Sequence, residues 1–220
     1  MGQLAECVDH SMHGFFIESF IDELAHAGNQ DPYQYRRGLF PDGSRFQKVL
    51  DLAAEKGNWG KELPPNWGRG IAIHKSFGTI AAEVIDIEIS DEGDLRVDRI
   101  VCAVDPGFAI HPNAFTAQME SGIIYGLTAA LKGEITIEGG AVVQSNFHDY
   151  PMLRINETPI IDTYILNSAE WPGGAGEPST PVVAPALTNA IFNATGIRVR
   201  KLPVKNHDLS KERWKKNQPA

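Results

Sequence analysis

Residues 82–104 read AEVIDIEISDEGDLRVDRIVCAV, and this stretch decides the fold. Val and Ile alternate with charged residues over 82–89 and are frequent again over 95–104, which is typical of β-strands. Residues 91–94 (DEGD) lie between the two runs and are of types that favour turns. The sequence therefore predicts a β-hairpin whose second strand ends at 105–107 (DPG).

Helical patterns precede this hairpin. Apolar residues recur at spacings of three and four between Phe15 and Ala25, and Asp31 followed by Pro32 can begin a second, short helix. Residues 44–56 form a third helical pattern that Gly57 ends. The segment from 57 to 70, GNWGKELPPNWGRG, has the composition of a linker.

Helices and strands mix after the hairpin. The patterns predict a helix over 113–131, short strands over 134–137 and 141–144, a strand over 160–166, a glycine loop over 172–178 and a helix over 180–195. This order predicts an α+β fold in which N-terminal helices are followed by a mixed β-sheet with packed helices. It divides the chain into a helical segment (1–60), an α+β region (61–210) and a basic tail (211–220).

The composition excludes several classes of protein. Hydrophobic residues make up 42% of the 220, enough for a core, and the net charge of −8 without a basic stripe argues against a nucleic-acid partner. Two cysteines, Cys7 and Cys102, are too few for an iron–sulfur cluster, and the spacing of the seven histidines indicates no metal site. No signal peptide or membrane span is recognisable, so no compartment is assigned.

The loop 172–178, PGGAGEP, is the first candidate for chemistry. Its glycines let backbone N–H groups approach a ligand, and its one carboxylate, Glu177, stands before a predicted helix whose dipole favours the ionised form. An ionised and rigidly held Glu is suited to act as a general base. A plain glycine-rich turn with a Glu in the first helical turn explains the same residues.

The predicted helix over 113–131 has one face formed mainly by small residues. Gln118, Gly122, Gly126 and Ala130 recur at every fourth position, and each Gly costs about 1 kcal/mol relative to Ala in a helix. Close packing on another backbone or on a large ligand would offset that cost. The sequence leaves both explanations open.

Taken together, six segments resemble one family, the large, molybdopterin-binding subunits of molybdenum hydroxylases (xanthine dehydrogenase and aldehyde oxidase). Within that family, the chain is most similar to the β-subunit type of isoquinoline 1-oxidoreductase. The matching segments are 14–25 (GFFIESFIDELA), 69–77 (RGIAIHKSF), 97–105 (VDRIVCAVD), 117–131 (AQMESGIIYGLTAAL), 144–154 (QSNFHDYPMLR) and 173–195 (GGAGEPSTPVVAPALTNAIFNAT). The resemblance implies the fold of part of the molybdenum-cofactor-binding domain.

The resemblance also implies roles for individual residues. Glu177 matches the family's active-site glutamate, the base that lets water-derived oxygen attack an electron-poor carbon of an N-heteroaromatic or aldehyde substrate. Gly174, Ala175 and Gly176 match the loop that approaches the cofactor, and Gln118 matches a glutamine placed near the pterin. The implied cofactor is molybdopterin in its cytosine dinucleotide form. Ser121 departs from the family's pattern, which has Gly at that position.

In the family, this region is the last part of a longer subunit. The resemblance therefore implies three partners, namely the remaining molybdopterin-binding portion, a small iron–sulfur subunit and a small-molecule substrate. The chain alone is expected to lack cofactor and activity. Some members carry a twin-arginine export signal on the full subunit, so cytoplasm and periplasm both stay open. A non-catalytic remnant, or a binding or structural module that keeps the fold, is the alternative.

Self-association is a further expectation, because an isolated segment exposes surface that is interior in the longer subunit. We expect Phe15, Phe16 and Phe20 of the first helix to form the apolar surface and a homo-oligomer to result.

Overall fold

The computed structural model describes residues 9–166 and 168–217, and three helices precede its sheet. They are α1 (His10–Ala27), α2 (Pro32–Gly38) and α3 (Arg45–Lys56). The side chains of Asp31 and Ser44 cap α2 and α3, since each accepts a hydrogen bond from a backbone N–H of the first turn. The three predicted helices are thus confirmed. Residues 1–8 of the predicted helical segment lie outside the described residues.

Six strands follow, and four of them form the central sheet. The strands are β1 (Trp67–Ser76), β2 (Thr79–Ile89), β3 (Leu95–Asp105), β4 (Ile137–Glu138), β5 (Ala141–Val142) and β6 (Ile160–Ile165). The sheet has the order β1-β2-β3-β6, with β1, β2 and β3 antiparallel to one another in turn and β6 parallel to β3. The predicted hairpin and the mixed sheet are confirmed.

Two strand predictions are corrected. The linker predicted for 57–70 ends earlier, because Trp67 already pairs with Glu88 and so begins β1. The short strands predicted for 134–137 and 141–144 pair over two residues each, in a separate two-stranded sheet. The two strands flank a turn at Gly139 and Gly140, and their side chains are exposed. Because these side chains do not pack against the core, the pairing stays short.

Three more α-helices lie in the described part of the chain, namely α4 (Pro112–Leu131), α5 (Thr180–Thr195) and α6 (Lys211–Asn217), along with short 3-10 helices at Ile155–Glu157 and Val204–Asn206. Nearly every residue of α5 is buried, because this helix packs against β1, β2, α1 and α4. Side chains on the other face of the sheet, including Ile71, Val84 and Val101, pack against α3. The sheet therefore lies between two layers of helix. Residues 211–217 of the predicted basic tail form α6, and 218–220 lie outside the described residues.

Helix α1 buries polar residues and exposes apolar ones. Glu18 and Asp22 are buried and form ion pairs with the fully buried Arg36 at 2.7 and 3.4 Å. Phe16 and Phe20 are about 60% exposed, whereas Phe15 is buried in the core. The expectation that Phe15 belongs to the exposed apolar surface is therefore wrong, because its side chain packs in the hydrophobic core.

One carboxyl group is buried in the middle of the sheet. Glu83 of β2 lies between Ala72 and Cys102 on the neighbouring strands and is fully buried. Neither of its carboxyl oxygens has a hydrogen-bond partner among the described residues. Burial raises the pKa of Glu83 well above its ordinary value, because an apolar environment disfavours the charged carboxylate.

None of the described helices has the length and apolar character that crossing a bilayer requires. Cys102 carries a free, buried thiol, and Cys7 lies outside the described residues.

Candidate functional site

The predicted glycine loop joins β6 to α5, and neighbouring segments hold it by its backbone. The N–H of Gly173 donates to the carbonyl oxygen of Pro106 at 2.7 Å, just beyond the end of β3. The N–H of Phe108 donates to the carbonyl oxygen of Glu170 at 3.1 Å. The loop therefore lies against the segment that connects β3 to α4.

Gly174 is held by the turn between β1 and β2. Its N–H donates to the carbonyl oxygen of Phe77, and its own carbonyl oxygen accepts from Thr79 Oγ1, both at 2.7 Å. Phe77 has φ +52°, a left-handed conformation that is strained for a bulky residue. A Cβ on Gly174 would lie 2.6 Å from Phe77 Cβ, so only glycine allows this close approach.

Helix α4 reaches the same loop through Gln118. The Nε2 of this exposed side chain donates to the carbonyl oxygen of Gly176 at 2.7 Å, across 58 positions of the chain. A Cβ on Gly176 would meet no atom within 4 Å, so open space adjoins its backbone. His111 begins α4 as its N-cap, with Nδ1 accepting from the N–H of Ala114.

The small-residue stripe of α4 faces the first turn of α5. A Cβ on Gly126 would lie 2.8 Å from Val183 Cγ2. The hydroxyls of Ser179 and Thr180 donate to the carbonyl oxygens of Met119 and Gly122 at 2.9 and 3.1 Å. For Gly122 and Gly126, the structure therefore favours close packing, here against the start of α5, over contact with a ligand.

Glu177 stands at the end of the loop, three residues before α5 begins. It is half-buried, and its carbonyl oxygen accepts from the N–H of Thr180 at 3.1 Å. Its position next to Gly176 brings Glu177 beside the hydrogen bond to Gln118. The structure thus places Gln118, Gly174, Ala175, Gly176 and Glu177 together at one end of α4 and α5.

Asp105 braces this region, whereas its sequence context predicts only the end of a strand. It is buried and accepts from Arg45 Nε at 2.7 Å and from the N–H of Gly107 and Ser168 Oγ at 2.8 Å. Burial alone raises the pKa of a carboxyl, but these hydrogen bonds outweigh burial and lower the pKa of Asp105. The sequence feature that could have identified Asp105 is an acid at a strand end followed by Pro and Gly. This pattern is also common in plain turns, so it does not single out a bracing residue.

A cleft of about 430 Å³ opens between the loop and the start of α4. Three of the predicted site residues line it, Gln118, Ala175 and Gly176, while Gly174 faces Phe77 instead. Its remaining lining is Pro106, Phe108, Ala109, Ile110, His111, Ala114, Phe115, Pro172 and Gly173. The cleft thus combines apolar walls with backbone groups and the polar side chains of Gln118 and His111, an arrangement suited to a planar ligand with hydrogen-bonding edges.

Comparison with known proteins gives a consistent picture. A family model described as a molybdopterin cofactor-binding domain matches residues 45–159. The fold resembles an aldehyde oxidoreductase from Desulfovibrio desulfuricans ATCC 27774, with a TM-score of 0.72 and 13% identity over 95% of this chain and 40% of that one. At this identity the likeness bears on the fold, and it confirms the predicted α+β class.

Two curated relatives match most of the chain. The membrane-bound aldehyde dehydrogenase of Gluconacetobacter polyoxogenes, whose name includes pyrroloquinoline-quinone, is 35% identical over 88% of this chain and 28% of its own length. Isoquinoline 1-oxidoreductase subunit beta of Brevundimonas diminuta is 33% identical over 87% of this chain and 25% of its own length. The chain therefore spans about a quarter of these relatives, and it belongs to the molybdopterin cofactor-binding domain family of molybdenum hydroxylase large subunits.

Proposed function

We propose that this chain is the segment of a molybdenum hydroxylase that carries the catalytic base. Glu177 is that base, and the substrate is an N-heteroaromatic compound or an aldehyde that receives oxygen from water. The observation that carries the proposal is the hydrogen bond from Gln118 to Gly176, because it joins a cleft-lining helix to the loop that bears Glu177.

The residues of the cleft fit the pterin part of a molybdenum cofactor. Open space beside Gly176 leaves room for a ring system at the backbone, and Gln118 Oε1 can accept a hydrogen bond from it. Among the described residues that line the cleft there is no Lys or Arg to bind the phosphate of a dinucleotide form. The remaining portion of the subunit would supply that contact, which supports the proposal that the chain alone is inactive.

Each residue of the site has a defined task in this proposal. Gln118 and the turn at Phe77 hold the loop from two sides, so that Glu177 is kept in one place. A carboxylate oxygen of Glu177 takes the proton from the water-derived nucleophile. The bound cofactor supplies the two-electron redox chemistry.

The proposed assembly has further parts. The remaining molybdopterin-binding portion completes the cofactor site, in the cytosine dinucleotide form, and a small iron–sulfur subunit accepts the electrons. Without these parts, we expect the exposed Phe16 and Phe20 to drive self-association.

Reconstitution with the remaining subunits tests the role of Glu177. A Glu177→Gln variant is expected to lose roughly 10²–10⁴-fold in kcat, the usual contribution of a general base. Glu170→Gln is the control, because Glu170 is an exposed carboxylate of the segment between β6 and α5 that does not line the cleft, and its side chain interacts electrostatically with Arg45. Undiminished turnover by Glu177→Gln would refute the mechanism and favour a non-catalytic module.

Metal and pterin analysis tests the cofactor. We expect molybdenum and a pterin dinucleotide in the reconstituted enzyme, and neither in the purified 24.1 kDa chain. Turnover that depends on added pyrroloquinoline quinone and not on molybdenum would contradict the proposal.

A further inference from the structure

Two histidines meet where α1 crosses the edge of the sheet. His10 lies in the first turn of α1 and His74 lies in β1, and His10 Nδ1 is 3.1 Å from His74 Nε2. The two rings are 5.3 Å apart between centroids and inclined by 67°. Both side chains are half-buried, so small solutes can reach them from solvent.

The facing nitrogens are suited to metal coordination. In the apo protein they share a single hydrogen, since one nitrogen must donate and the other accept. Neutral imidazole is the form that binds transition metals.

We propose that His10 and His74 form a bidentate site for a borderline divalent cation such as Zn²⁺, with solvent oxygens completing the coordination. Two Zn–N bonds of about 2.0–2.1 Å at a tetrahedral angle place the nitrogens about 3.3 Å apart. The observed 3.1 Å requires a shift of only a few tenths of an ångström. On metal binding, the hydrogen between the rings moves to the other nitrogen of the ring that carried it, so that both facing nitrogens offer a lone pair to the ion.

The ligand set selects the class of ion. Two imidazoles favour Zn²⁺, Cu²⁺ or Ni²⁺, whereas Mg²⁺ and Ca²⁺ require oxygen ligands. The described residues contain no group of three or more His, Cys, Asp or Glu side chains that could hold a metal ion. The site is therefore an exchangeable two-ligand site that water shares, and it differs from the closed four-ligand sites of structural zinc.

The location connects the pair to the candidate loop. The His10 ring also packs edge-on against Phe77, with centroids 5.0 Å apart, and the Phe77 carbonyl oxygen holds the N–H of Gly174. A bound ion would clamp α1 to β1 directly beside this contact. The metal site is separate from the cleft and does not depend on the proposed function.

Zinc titration of the intact chain tests the site. We expect isothermal titration calorimetry to show one Zn²⁺ per chain and thermal unfolding to shift upward in a way that EDTA reverses. His10→Gln and His74→Gln should each weaken binding at least tenfold, and circular dichroism verifies that both variants fold. Mg²⁺ at the same concentration should produce no shift. Cu²⁺ in place of Zn²⁺ should give an electron paramagnetic resonance spectrum with coupling to two imidazole nitrogens.

Two controls exclude other histidines. His148 is exposed and lies 3.6 Å from a carboxylate, and His13 lies 3.6 Å from Asp9 on α1, so each could bind a metal on its own. His148→Ala and His13→Ala should leave the affinity unchanged. Retention of Zn²⁺ binding by His74→Gln, or its loss in His13→Ala alone, would overturn the proposal, as would the absence of any binding to the wild-type chain.

Discussion

Gln118 Nε2 donates a hydrogen bond to the carbonyl oxygen of Gly176 at 2.7 Å, and so ties α4 to the loop that bears Glu177. The bond is exposed, so its removal should cost less than about 1 kcal/mol of stability. Its larger effect should be on the loop itself. We expect Gln118→Leu to accelerate amide hydrogen exchange over 174–177, measured by mass spectrometry. Glu120→Gln, on the same helix, should not, and equal exchange rates in both variants would contradict this role for Gln118.

Two glycines of the loop differ in the space beside them and so provide a test variant and its control. A Cβ on Gly174 would lie 2.6 Å from Phe77 Cβ, whereas a Cβ on Gly176 would meet nothing within 4 Å. Gly174→Ala should therefore lower the free energy of unfolding by about 1–3 kcal/mol, the usual cost of overpacking. Gly176→Ala should change it by no more than about 0.5 kcal/mol. Urea denaturation of both variants measures the difference, and equal effects would show that the loop adapts freely.

Glu83 should make stability depend on pH. Burial raises its pKa in the folded chain, so above the ordinary value of 4.5 the unfolded chain releases a proton that the folded chain keeps. Stability then falls as pH rises, by at most about 1.4 kcal/mol per pH unit. Glu83→Gln removes this contribution. As the pH rises above the ordinary value of 4.5, we expect the stability of this variant relative to wild type to increase in urea denaturation. Parallel pH curves would show that Glu83 is ionised in the folded chain.

Arg36 neutralises the polar side of α1. Its guanidinium is fully buried and donates to Glu18 Oε2 at 2.7 Å and to the Glu18 carbonyl oxygen at 2.8 Å. Arg36→Met would leave Glu18 and Asp22 buried without this partner, and we expect a loss of about 3–5 kcal/mol in chemical denaturation. The control is Arg37→Met, because Arg37 forms a solvent-exposed pair with Asp51. It should remain close to wild type, and a similar loss in both would assign the effect to the helix rather than to the buried charge.

Local sequence patterns correctly predicted the elements whose ends are marked by characteristic boundary residues such as Pro and Gly. The helix predicted over 180–195 has the same bounds in the structure, because Pro181 suits its first turn and Gly196 ends it with φ +72°. The hairpin followed from its alternation and its turn residues. The first short strand near Gly139 begins three residues later than predicted and the second ends two residues earlier, since strand bounds depend on packing that a sequence does not display.

Pairings between distant segments were beyond the reach of the sequence pattern. The parallel alignment of β6 with β3 depends on how the intervening α4 packs, and no local signal encodes it. The stripe of α4 shows the same limit. The sequence indicated close packing at Gly122 and Gly126, and the structure identified α5 as the partner.

The sequence by itself determined the family, the elements and the residues of the glycine loop, because these depend on residue type and short-range order. Tertiary structure alone decided three relationships, the bond from Gln118 to Gly176, the burial of Glu83 and the meeting of His10 with His74. The histidines lie 64 positions apart, so no spacing rule predicts their contact. The packing of α1 against the edge of the sheet brings them together, and that packing depends on the whole core.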